Sequence, residues 1–163
     1  INAWCWSVIR TFGHNLLKFP LWRSTTNLLL KNIRYGIANS QSAAVHRDIS
    51  QNTTLESGLA SWQISMWFLF RRPPTKVEYA KIQCPVLIIG GTEDKITPLK
   101  TQLKLARNYT NRATVQIIPD ACHWTISGSH FPKIRQTLFT WLNQTPDTPV
   151  IKNENAKLAA QVA

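Results

Sequence analysis

Apolar residues fall into broad clusters up to about residue 80 and into short, closed runs after it. The first cluster is Trp4, Trp6, Val8, Ile9 and Phe12, punctuated by Gly13 and Pro20. The second is Leu28, Leu29, Leu30 and Ile33, followed by the polar stretch Asn39 to Thr54. In the third, Leu55 to Phe70, the residues Trp62, Met66 and Leu69 or Phe70 recur at helical spacing. Residues 1–80 therefore read as helices and loops. Arg71-Arg-Pro-Pro-Thr75 ends the third cluster, because proline disfavours helix in the residue before it.

After Lys81 the pattern predicts strands. Val86 to Ile89 is an unbroken apolar run with three β-branched residues, closed by Gly90 and Gly91. It reads as a strand buried on both faces, as in a parallel sheet, and Pro85 suits its entry. Thr97-Pro98 reads as a helix start with Thr97 as N-cap, and Leu99, Leu103 and Ala106 give that helix one apolar face. A second short run, Thr114-Val-Gln-Ile-Ile118, predicts a parallel neighbour for the first. A closing helix follows near Pro132, with Ile134, Leu138 and Trp141 or Leu142 turned to the sheet. Asn143 to Val150, with two prolines, reads as a boundary before a tail.

The polar loops after these two strands carry the candidate chemistry. Asp94 lies just past the first strand, where open α/β sheets place reactive groups, and His123 follows the second. A histidine that moves a proton and an acid that orients its ring make two thirds of a catalytic triad. Glu93 is the nearest rival acid. Asp120 shares the histidine's own loop, a poor place from which to orient the ring.

Pro85-Val-Leu-Ile-Ile-Gly-Gly-Thr-Glu-Asp-Lys-Ile-Thr-Pro98, then Ile118-Pro-Asp-Ala-Cys-His-Trp124, then a helix, resemble the C-terminal part of an α/β-hydrolase. That family orders its triad as nucleophile, acid, histidine. The resemblance implies an α/β fold in which residues 1–80 are a helical lid, 81–142 the C-terminal part of a parallel sheet, and 143–163 a tail. It makes Asp94 the catalytic acid, in preference to Glu93 by the spacing from Gly91, and His123 the base, with no cofactor and no metal. It also implies a small apolar substrate, held by lid aromatics, whose ester, amide or related bond is cleaved. After the histidine, Ser127-Gly-Ser-His-Phe-Pro132 departs from the family pattern by lacking an acidic residue.

The nucleophile is the missing piece, since no Gly-x-Ser-x-Gly occurs in the chain. Ser40-Gln-Ser42-Ala-Ala44 is a degenerate match, but Ile33 to Ala38 before it makes a poor strand, and the interval to Asp94 leaves no room for a lid. Cys122 adjoins His123, but neighbouring side chains diverge. A whole α/β-hydrolase needs more than 163 residues, so the resemblance implies an incomplete chain, an expectation that Ile1 fits.

A net charge of +11 raises nucleic acid or an anionic membrane as partners. The basic residues are scattered singly, with Arg71-Arg72 the one adjacent pair, and the expectation is a solvated basic surface without nucleic-acid binding. Cys5, Cys84 and Cys122 are too few and too spread for a disulfide framework or a zinc site, and fit a reducing compartment such as the cytoplasm. His14, His46 and His130 lack partners at metal-ligand spacing. Leu59 to Phe70 is too short to span a bilayer. Two other classes of function stand beside the hydrolase: a non-catalytic descendant that binds or interacts, and a basic adaptor for anionic surfaces.

Overall fold

The computed structural model describes residues 5–144. Trp4 and nearly all of the expected tail at 143–163 lie outside the described residues. The chain is mixed α/β. Helix α1 (Trp6–Leu16) leads into a 3-10 turn at Leu21–Arg23 and a short strand, β1 (Thr25–Thr26). Helix α2 (Leu30–Asn32) runs directly into a π-helical turn at Ile33–Ile37, and α3 (Ala43–Asn52) follows. Strand β2 (Glu56–Ser57) pairs antiparallel with β1 and opens helix α4 (Gly58–Ser65).

The polar stretch of this part holds a helix, and one expectation, for Leu55 to Phe70, is corrected. The polar stretch from Asn39 to Thr54 contains α3, which Ser42 starts by accepting a hydrogen bond from Val45 N at 3.4 Å. The segment from Leu55 to Phe70 is not one helix. Its first residues pair with β1, Ser57 caps α4, and the helix stops at Met66, whose φ of −109° and ψ of 29° leave the helical region. Trp62 therefore shares no helix with Leu69. It packs instead on Trp22, with ring centroids 5.1 Å apart.

The second part is built on strands β3 (Val86–Gly91) and β4 (Ala113–Ile118), joined by helix α5 (Leu99–Arg107) and followed by α6 (Phe131–Gln144). The strands are parallel, in register from Val86 opposite Ala113 to Gly91 opposite Ile118. Both chains consequently leave the pair at the same edge, which sets the positions of Asp94 and His123.

Here too the details differ from expectation. Val86 to Ile89 are half-buried rather than covered on both faces, and the strand continues through the two glycines. On α5 the expected apolar residues Leu99 and Leu103 are exposed, and the side chain that goes inward is Gln102. Gly90 makes room for it, since a Cβ there would lie 1.5 Å from Gln102 Oε1. On α6, Ile134 is buried as expected but Leu138 is exposed. Pro132 fits the first turn of α6, where a helix has no use for its missing N–H.

Two small apolar clusters hold the parts together. Ile33, Ala38 and Ile49 form one, with Trp124 packed against it from the histidine loop. Ile118, Ala121 and Ile134 form the other, under β3 at Ile89. Full burial of an isoleucine is worth about 1.5–3 kcal/mol, so each cluster contributes several kcal/mol before the entropy of ordering is subtracted. Among the described residues no helix is long and apolar enough to cross a membrane.

Candidate active site

Past the last paired residues of β3 and β4 the two loops stay fastened together. Thr92 N donates to Ile118 O at 3.2 Å, Glu93 N to Ala121 O at 3.0 Å, and Asp120 N to Thr92 Oγ1 at 2.8 Å. Gly91 permits this approach, because a Cβ on it would lie 1.9 Å from the carbonyl oxygen of Ala121. Asp120 makes the turn with a positive φ of 59°, a conformation that aspartate tolerates better than most residues. The two loops thereby deliver one side chain each to a common point.

That point is a hydrogen bond between Asp94 Oδ2 and His123 Nδ1, at 3.0 Å. The Asp94 side chain is 4% exposed and that of His123 36%. Asp94 is held from three further directions. Its Oδ1 accepts from Ile96 N at 2.8 Å and Thr97 N at 2.7 Å, and its Oδ2 accepts from Thr97 Oγ1 at 2.7 Å. Burial alone would raise the carboxyl pKa. Hydrogen bonds from His123 and from the backbone and hydroxyl of Thr97, with the charge of His123, outweigh it and hold the group below its ordinary value.

An ionised carboxylate only accepts hydrogen bonds, so its partner Nδ1 carries the ring proton. The lone pair of the neutral imidazole is then on Nε2. Beside Asp94, Thr97 approaches the ring, with its Oγ1 3.4 Å from Nδ1. Thr97 is thus not the helix cap that its position before Pro98 suggests. Its hydroxyl serves Asp94, and α5 begins after Pro98 with no side-chain cap. Gln102 extends the chain of support by donating from Nε2 to Thr97 O at 2.7 Å.

Other candidate residues take structural posts. Ser42 is the exposed N-cap of α3. Glu93 is exposed, and its carbonyl accepts from Asn39 Nδ2 at 3.1 Å. Cys122 is fully buried, with Sγ 3.8 Å from Gln41 Nε2. The three cysteines are free thiols. His46 Nε2 lies 2.7 Å from Ala38 O, and His14 Nε2 lies 3.1 Å from Asn27 O. No group of three or more histidine, cysteine or acidic side chains among the described residues could hold a metal ion.

Contacts from the first part, which the sequence did not announce, brace both loops. Trp124 N donates to Ile37 O at 2.9 Å. Gln41 accepts at Oε1 from Ser129 N at 3.0 Å, and its Nε2 lies 3.1 Å from His130 Nδ1. Ser7 Oγ donates to Lys95 O, next to Asp94. In front of the pair, a cavity of about 1350 Å³ opens between α1, α4 and the acid loop and reaches His123, Thr97 and Ile96. A hollow of about 410 Å³ on α5, lined by Leu99, Leu103 and the basic residues beside them, contains neither His123 nor Asp94. No protein-family model matches the chain, and no curated protein matches it at a significant level.

Proposed function

We propose that Asp94 and His123 are the acid and the base of a hydrolase of the α/β-hydrolase type, with residues 5–80 acting as its lid. The observation that carries this reading is the 3.0 Å Asp94–His123 bond at the shared edge of two parallel strands. In the reaction, His123 Nε2 takes the proton of a hydroxyl or thiol nucleophile as it attacks the carbonyl carbon. Asp94 stabilises the imidazolium that results, and the ring then gives the proton to the leaving group. Water repeats the sequence to release the acid product. In this reading the nucleophile and the oxyanion donors belong to other parts of the protein, as the missing Gly-x-Ser-x-Gly elbow implies.

The missing elbow favours a second reading, a hydrolase-like protein that binds its ligand without cleaving it. Hydrolysis of p-nitrophenyl esters by the natural protein separates the two. On the enzyme reading, His123→Ala lowers kcat by about a thousandfold or more and Asp94→Asn by a comparable factor. Turnover indifferent to His123→Ala overturns the assignment, and no turnover across esters and amides favours the binding reading.

A further inference from the structure

The cavity in front of His123 has a chemical character of its own. Its walls include Ile9, Phe12 and Leu16 of α1, Ile64 of α4, and Trp67. Polar side chains are present as well, and several of them are engaged within the protein. Asn15 bonds the backbone of Asn27 through both ends of its amide, at 2.9 and 3.2 Å. Thr26 pairs with Ser61 at 3.1 Å, Ser65 donates to Ser61 O at 2.6 Å, and Thr53 donates to Ile49 O at 2.6 Å. Apart from His123, the charged residues of the wall are Glu56 and Lys76, one of each sign and both exposed. In a chain of net charge +11, this wall is close to neutral.

We infer that the cavity binds a neutral, elongated apolar body, an acyl or alkyl chain, with its one polar group at the His123 end. At about 1350 Å³ the space exceeds the 300–1,000 Å³ that suits an ordinary small ligand. A wall rich in apolar side chains, with several of its polar groups already paired, offers a polar ligand little in exchange for its lost water, whereas each methylene moved out of water favours binding. For the reacting end the inference rests on the hydrolase reading; for the apolar body it does not.

The test measures binding rather than turnover. Unbranched 2-alkanones of six, eight, ten and twelve carbons carry one carbonyl and have no bond to hydrolyse, and calorimetry on the natural protein reads their affinity. Each added pair of methylenes should tighten binding roughly threefold to tenfold. Carboxylates of the same lengths should bind more weakly than the ketones. Ile64→Glu, at an exposed position in the wall, should weaken the ten-carbon ketone at least tenfold. Leu103→Glu, also at an exposed position but on α5, should leave it unchanged. The readout is affinity rather than turnover, so a failed catalytic assignment would not disturb this result. Affinity independent of chain length, preference for the carboxylates, equal effects of the two glutamate variants, or no binding would overturn the inference.

Discussion

Between residues 5 and 80 many of the side chains that reach the interior are polar: Thr11, Asn15, Thr26, Asn32 and Gln41 are all buried. Large apolar residues of the same part face outward, Leu17 at 85% exposure and Phe19 at 86%. Between 81 and 144 the buried set is more conventional, with Ile118, Ala121, Cys122 and Ile134, and its buried polar residues Asp94 and Gln102 belong to the site and its support. In the first part the apolar cluster of Ile33, Ala38 and Ile49 shares the interior with hydrogen bonds such as Asn32 Nδ2 to Thr11 O at 2.6 Å and to Arg10 O at 3.1 Å. In the second the interior is arranged by strand pairing and the apolar cluster beneath. The first part is thus bonded to the loops of the sheet, and the sheet fixes where Asp94 and His123 meet.

The sharpest way to break the second part is at its glycine turn. Gly91→Val forces a side chain against the Ala121 carbonyl, and urea denaturation should show a loss of about 3 kcal/mol or more, the upper end of overpacking costs. Asp94→Asn should cost on the order of 2–3 kcal/mol at neutral pH, because a charged acceptor of several hydrogen bonds is lost. Its pH dependence has a definite sign. A carboxyl whose folded pKa lies below the ordinary 3.8 stabilises the fold fully above that value and loses its contribution as pH falls through the lowered one. Denaturation curves of wild type and Asp94→Asn should therefore converge in acid.

Two further substitutions probe the first part, where apolar and polar roles are exchanged. Asn32→Leu makes the interior more apolar, yet it should destabilise by about 2 kcal/mol, since it removes the donor that bonds two carbonyls of α1. Leu17→Ser removes a large apolar side chain but should change stability by no more than about 0.5 kcal/mol, because Leu17 is exposed. Equal and large losses from both would show that the apolar residues of this part are buried against something in solution.

The contrast also explains which features were legible in the residues. Val86–Ile89, Thr114–Ile118 and the helix starting near Pro132 are local patterns, and chain connectivity alone suffices to carry Asp94 and His123 to one edge. The extent of α4 was not legible, because it depends on Glu56 and Ser57 pairing with residues thirty positions earlier. Thr97 read as a helix cap, and the aspartate three residues before it is the signal that could have pointed to Asp94 as its partner instead. Gln102 and Gln41 gave no signal. Each is an ordinary polar residue whose role exists only once Gly90 or the Ser129 backbone is placed against it.

The central claim, that Asp94 orients His123 for proton transfer, is tested most directly by the nitrogen resonances of the His123 ring. Two-dimensional proton–nitrogen spectra of the protein above the histidine titration range should show Nδ1 protonated and Nε2 bare, with a downfield Nδ1 proton that is lost in Asp94→Asn. A ring protonated on Nε2 instead, or a spectrum that Asp94→Asn leaves unchanged, would contradict it.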